Sequence, residues 1–146
     1  MLEQLRKPRR LEVHTDLGNL EKVLAWFEKN HISIVPEDLL WQCETALAEG
    51  FTNAVRHAHR DLPEHTPIEI EVTLEGRCLE MRIWDCGEPF DLHSKLQSLL
   101  QETFGPLEKP SGRGLIFMHR LTDELSYTRT SDRRNCLLMR KKLVDD

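Results

Sequence analysis

The sequence predicts an α/β (α+β) two-layer sandwich, in which a mixed, mostly antiparallel sheet carries three helices on one face. Three observations predict it. Ile68, Ile70, Val72 and Leu74 alternate with Glu69, Glu71, Thr73 and Glu75; past a Glu75-Gly76-Arg77 turn, Leu79, Met81 and Ile83 alternate with Glu80 and Arg82. That is an antiparallel hairpin with one wet and one dry face. Between Pro36 and Arg60 the apolar residues recur at helical spacing. Strands also arrive in hairpins rather than in strict alternation with helices, which argues against a parallel Rossmann-type sheet.

Each element has its own warrant. Arg10-Leu-Glu-Val-His-Thr15 alternates apolar and polar residues and reads as a first strand. Asp16 is a good N-cap for a helix that runs through Leu20, Val23, Leu24 and Phe27 to about His31. Ser33-Ile-Val-Pro36 is a short connector. Pro36 then suits a first helical turn, where Glu37 and Asp38 meet the positive end of the helix dipole. Pro63 and Pro67 hold the next segment out of helix. From Asp91 to Ser111, Leu92, Leu96, Leu99 and Leu100 could form a short amphipathic helix, but Gly105, Pro106 and Pro110 break the remainder of the segment. Gly114 to Leu121 reads as the third helix, and 123–130 with 135–142 as a closing hairpin.

Composition bounds the function. A chain of 146 residues can bury one core, so a single domain over 1–146 is expected. Hydrophobic content of 39% with 31% charged residues fits a soluble globular protein, and a net charge of −5 gives no support for direct nucleic-acid binding. Arg6, Lys7, Arg9 and Arg10 make residues 1–9 a basic, flexible tail. No apolar run approaches the roughly 18 residues needed to span a bilayer, and no signal-peptide core follows Met1, so no membrane contact and a cytoplasmic location are expected. Cys43, Cys78, Cys86 and Cys136 contain no CxxC pair and read as reduced packing residues. His57 and His59 are spaced wrongly for a helical zinc pair.

Three motifs carry chemistry. Glu49, Asn53 and His57 stand at i, i+4 and i+8, which puts a carboxylate, a carboxamide and an imidazole on one helical stripe. The Asn53 amide oxygen is a hard, neutral ligand suited to Mg2+, and Glu49 could take a proton from an attacking hydroxyl. A solvated polar face explains the same stripe. Asp85-Cys-Gly-Glu-Pro-Phe90 leaves the end of a strand. There a carboxylate can accept from an exocyclic amine, and Gly87 lets a flat ring approach the backbone. Taken alone, these residues also make an ordinary turn. Ser111-Gly-Arg-Gly-Leu115 opens a helix with Gly112 and Gly114 leaving backbone N–H groups free for phosphate, and Arg113 adds a charge. A hinge before a helix has the same composition.

In order and context these motifs resemble the GHKL (Bergerat-fold) ATP-binding family, and within it the small bacterial anti-sigma-factor serine/threonine kinases. Ala48-Glu-Gly-Phe-Thr-Asn-Ala-Val-Arg-His-Ala58 resembles the family's N box, Asp85 to Phe90 its first glycine box, and Ser111 to Leu115 its second. The resemblance implies that Asn53 binds the Mg2+ bridging the ATP phosphates and that Glu49 orients or deprotonates a substrate serine. It further implies that Asp85 binds the adenine amine beside Gly87, and that residues 91–111 form an ATP lid with Gly112, Arg113 and Gly114 at the phosphates. His57 would be structural, hydrogen-bonding the loop after the helix. Asn135-Cys136 departs from the Gly-Thr step common in the family's last hairpin.

The implied activity is an ATP- and Mg2+-dependent serine/threonine kinase. It would hold a sigma factor inactive and phosphorylate a serine on a STAS-domain antagonist, working as a homodimer. An ATP-gated binding module of the same fold, with little phosphoryl transfer, is the alternative. A histidine kinase catalytic half is disfavoured, since the sequence goes straight into the first strand with no helix bearing a phospho-acceptor His.

Overall fold

A computed structural model describes residues 8–31, 35–101 and 113–143. In chain order the elements are β1 (Arg9–His14), a 3-10 turn (Leu17–Asn19), α1 (Leu20–His31) and α2 (Glu37–Asn53), which continues as a π-helical segment (Ala54–Ala58). Then come β2 (Pro67–Glu75), β3 (Cys78–Asp85), α3 (Leu92–Gln101), α4 (Arg113–Leu121), β4 (Glu124–Arg129) and β5 (Asn135–Lys142). Most of the basic tail (1–7), Ser33 and Ile34 of the connector, residues 102–111 of the expected lid, and Gly112 lie outside the described residues.

The strands form one five-stranded sheet in the order β1-β2-β3-β5-β4. Each neighbouring pair is antiparallel, so the described sheet is wholly antiparallel rather than mixed. The reason is that both hairpins dock side by side through β3 and β5, with Ile83 opposite Leu137 and Asp85 opposite Asn135. Among the described residues the helices number four rather than three. The leucines at 92 and 96 do bury, and Asp91 caps α3 by accepting from Ser94 N–H at 3.0 Å.

Register sorts the sheet into two faces. Leu11, Val13, Ile68, Ile70, Val72, Met81, Ile83, Leu137 and Met139 share the inner face, and the core lies between them and Val23, Phe27, Leu47, Phe51, Leu115 and Met118 from the helices. The sequence pattern puts an α-helix directly after the Asp16 N-cap. Asp16 does cap, accepting from Gly18 N–H at 2.9 Å, but the turn it caps is 3-10 and the α-helix begins at Leu20.

α2 packs closely on the sheet at Gly50. A Cβ at Gly50 would stand 2.6 Å from Ile83 Cδ1 and 3.1 Å from Met139 Cε, so glycine lets this helix approach by a full side-chain layer. That approach carries the end of α2 to the ends of β3 and β5. No helix among the described residues is long and apolar enough to cross a membrane.

Candidate functional site

Beyond Asn53 the helix widens. His59 N–H donates to Ala54 O at 2.8 Å, five residues back, and residues 54–58 are π-helical. Such a bulge re-aims the side chains after it and is frequent at functional sites. Phe51 and Ala54 are buried in the core, while Asn53, His57 and Ala58 line one wall of a cavity of about 340 Å3. Cys86, Gly87, Glu88 and Phe90 form a second wall from the tip of β3, and Arg60, Asp61, Leu62 and Lys95 complete the lining.

The second wall is held by an unusual density of polar contacts at the tip of β3. Asp85, only 3% exposed, accepts at Oδ1 from Gly87 N–H (2.9 Å) and Asn135 Nδ2 (2.7 Å), and at Oδ2 from the Tyr127 hydroxyl (3.2 Å). The carboxylate is acceptor-only with about four lone-pair sites, so one site on Oδ2 is left by these contacts. Burial and the neighbouring Asp85 charge push the Tyr127 hydroxyl well above its ordinary pKa, which keeps it a donor. Asn135 Nδ2 and Arg129 also donate to Gly87 O, at 2.9 and 3.0 Å. Gly87 has no alternative: a Cβ there would stand 2.0 Å from the backbone oxygen of Ala58.

Glu49 is half-buried one turn before Asn53 and faces the start of α4. A Cβ at Gly114 would lie 2.6 Å from Glu49 Oε2, so the glycine makes room for this carboxylate. Desolvation raises the Glu49 pKa above its ordinary value, partly offset by Arg56. His57 is shifted the other way, lowered by burial and then by the positive charges of Lys95, Arg60 and Arg56. Lys95, Arg60 and Arg56 all act on this one ring, while Asp61 and Glu88 also line the cavity, so its charge is mixed.

The expected residues therefore fall into three places. Asn53 and Gly87 both line the cavity, Asp85 is buried and is not among its lining residues, and Glu49 with Gly114 forms a separate contact at the α2–α4 junction. Arg113 is exposed at the first position of α4, and Gly112 lies outside the described residues.

Among the described residues no hydrogen bond from the His57 ring to the loop after the helix is seen; His57 is exposed at the cavity, and the buried ring in this region is His59, bonded to β1 and to the tip of β3. Nδ1 of His59 is 2.8 Å from the Thr15 hydroxyl, and its Nε2 accepts from Cys86 N–H at 2.8 Å. Sequence reasoning misses Tyr127 and Arg129, and reaches Asn135 only as a departure from the family pattern. Strand face is the signal that finds Asn135: it heads the dry row of Leu137 and Met139, as Asp85 heads that of Leu79, Met81 and Ile83. Cys86 is exposed at the cavity rather than packed, and all four cysteines are free thiols.

The donor set can be tested against the expected ligands. No group of three His, Cys, Asp or Glu that could hold a metal by itself occurs among the described residues. Mg2+, however, commonly takes one or two protein oxygens and completes its shell with water and phosphate, and the Asn53 amide oxygen at the cavity wall fits that role. The cavity is at the lower end of the range for small-molecule sites, lined by Phe90 and Leu62 as apolar groups, by Lys95 and Arg60 as cations, and by Asp61 and Glu88 as carboxylates. A flat base with an anionic tail fits the first two.

Comparison with known proteins agrees with this geometry. Residues 13–141 match the family model described as Histidine kinase-like ATPase domain. The fold is similar to the RsbU and RsbW domains of Rv1364c from Mycobacterium tuberculosis, with a TM-score of 0.66 at 13% identity, covering 96% of this chain and 33% of that one. It is also similar to the Acinetobacter baumannii histidine kinase AdeS, with a TM-score of 0.50 at 18% identity, over 98% of this chain and 72% of that one. At these identities the likeness is one of fold. A curated relative, kynurenine 3-monooxygenase of Aspergillus terreus, is 26% identical over 100 residues. That match takes in 62% of this chain, and the chain spans only 20% of the relative's length.

Proposed function

Because the chain belongs to the histidine kinase-like ATPase domain family, we propose that it is an ATP- and Mg2+-dependent serine/threonine protein kinase of the anti-sigma-factor type. In this reading it binds a sigma factor and phosphorylates a serine on a STAS-domain antagonist in a partner-switching circuit. It works in the cytoplasm as a homodimer. The fold it shares with an RsbW domain agrees with this reading. The observation that carries the reading is the placement of Glu49. A desolvated carboxylate sits one helical turn from Asn53, which lines the cavity, and against Gly114 in the first turn of α4.

Each residue then has a task. Asp85, held by Gly87, Asn135 and Tyr127, offers its remaining Oδ2 lone pair to an adenine amine. Lys95 and Arg60 attract the polyphosphate. Asn53 supplies an oxygen ligand to Mg2+, which when bound neutralises phosphate charge. Glu49 takes the proton of the serine hydroxyl as that oxygen bonds to the γ-phosphorus and the bond to the β-phosphate oxygen breaks, releasing ADP. Gly112, Arg113 and Gly114 place the N-terminus of α4 at the phosphates. Positioning and charge neutralisation supply most of the rate in such transfers. A serine so modified gains about two negative charges, enough to disrupt an interface.

The test is transfer of labelled phosphate from ATP to purified STAS-domain candidates. Glu49→Gln keeps the shape of the side chain and removes the base. It is expected to reduce transfer by roughly 10²- to 10⁴-fold with ATP affinity within about twofold of wild type. Unchanged transfer in that variant would reject Glu49 as the base; ATP binding with no transfer to any STAS protein would favour the ATP-gated binding module.

A further inference from the structure

His59 is 2% exposed, lies six residues past Asn53, and has no part in the phosphoryl transfer proposed for this site. Its hydrogen bonds fix its chemical state. The Thr15 hydroxyl has one proton, and it goes to the Thr66 carbonyl at 2.7 Å. The 2.8 Å contact between Thr15 Oγ1 and His59 Nδ1 must therefore be donated by the imidazole. Nε2 is then the unprotonated nitrogen, as its other contact requires, because it accepts from Cys86 N–H at 2.8 Å. The ring is a neutral Nδ1–H tautomer with both nitrogens engaged. Burial lowers its pKa, against the attraction of Asp85. The groups facing the ring are Thr15 at the end of β1, the carbonyl of Thr66, and the Asp85–Cys86 tip of β3; of these only Asp85 is charged.

The geometry points to His59 as a positioning residue for the base end of the nucleotide site. Ala58, beside it in sequence, leaves room for nothing larger than glycine at position 87, so helix end and strand tip are in contact with no slack. His59 is the polar tie across that contact. It joins the end of the π-helical segment to the amide of Cys86, between the carboxylate of Asp85 and the glycine whose N–H that carboxylate accepts. Thr15 anchors the ring from behind: its own N–H donates to Glu64 O at 2.8 Å and its hydroxyl to Thr66 O. Protonating Nε2 would bring two N–H donors face to face at that 2.8 Å separation, which releases the strand tip. His59 thus sets the gap between the wall bearing Asn53 and the wall bearing Gly87, and it does so only while neutral.

This inference rests on the ATP-site reading, and its test separates the two. Imidazole nitrogen spectra, exchange of the Cys86 amide and ATP affinity with Mg2+ are measured on the full chain from pH 5.5 to 8. The variants are Thr15→Val, which removes the acceptor behind the ring, His59→Phe, which keeps the ring and removes both bonds, and His59→Gln, which restores an acceptor and a donor. In the wild type the ring is expected as the Nδ1–H tautomer, staying neutral at pH values where free histidine is protonated.

His59→Phe is expected to bind ATP at least about tenfold more weakly, the loss of one to two buried hydrogen bonds, and to exchange the Cys86 amide faster. His59→Gln should recover part of both, and Thr15→Val, which leaves Nδ1–H without its acceptor, should lower the fraction of protonated ring at low pH further and speed Cys86 exchange. An Nε2–H tautomer, or a folded His59→Phe protein with wild-type ATP affinity and Cys86 exchange, overturns the proposal. If His59→Phe does not fold, Thr15→Val decides. Wild-type protein that binds no ATP contradicts the functional reading alone, and the tautomer and the Cys86 exchange still decide the role of His59.

Discussion

At the scale of residues, the site depends on carboxylates kept in opposite conditions. Asp85 accepts three hydrogen bonds, whereas Glu49 has lost solvent, and its pKa rises. A general base works only when ionised. Phosphoryl transfer is therefore expected to fall as pH drops through the raised Glu49 pKa, above the value of an ordinary carboxylate, and the limb should disappear in Glu49→Gln. A pH–rate profile under single-turnover conditions checks it; an identical limb in both proteins would assign the ionisation elsewhere. Asn53 and Glu49 are legible in the sequence because helical spacing alone places them one turn apart. His59 is not, because its partners at 15, 66 and 86 come together only through the fold, and the neighbouring His57 offers the same chemistry two residues away.

At the scale of elements, glycines set distances. The Gly-rich start of α4 reads in the sequence as a phosphate cradle; Gly112 lies outside the described residues, and Gly114 makes room for Glu49. Gly114→Ala would push the carboxylate by about an ångström, and a displacement of this size at a reacting group costs on the order of 10²-fold. The expected result is a large loss of transfer with ATP affinity little changed, read by kcat against nucleotide Kd.

The α1–α2 contact holds a second strained carboxyl. Glu44 is pushed up to about 7 by burial and by its hydrogen bond and charge contact with Glu28, and its buried Oε1 has no hydrogen-bond partner among the described residues. The folded state therefore holds a proton that the unfolded chain releases near 4.5, and stability declines as pH rises from there to about 7. In Glu44→Gln that decline should shrink and the melting temperature at pH 8 should exceed wild type; equal pH dependence in both would contradict it. Sequence alone does not show this pair, since residues 28 and 44 belong to different helices.

At the scale of the whole molecule, the two faces of the sheet divide the labour. The inner face is apolar and fixes the helices. The outer face is a lattice of ion pairs in which Arg10 and Arg134 meet Glu69, Arg82 meets Glu71 and Glu80, and Arg140 joins Glu80 to Glu124. The alternation of Glu and Arg with apolar residues makes both faces readable from the sequence. The pairing of β3 with β5, which brings Asn135 to Asp85, is not readable there, because nothing local couples two strands 50 residues apart.

That pairing and the close seat of α2 bring the three motifs into one region, and the proposed function stands or falls on their forming one nucleotide site. The direct measurement is ATP binding by calorimetry with and without Mg2+, for wild type, Asn53→Ala and Asp85→Asn. A single nucleotide site predicts Mg2+-enhanced binding in wild type, loss of the Mg2+ effect in Asn53→Ala, and loss of ATP binding in Asp85→Asn. Wild-type protein that binds no ATP at millimolar concentration, or an Asn53→Ala protein with an intact Mg2+ effect, would contradict it.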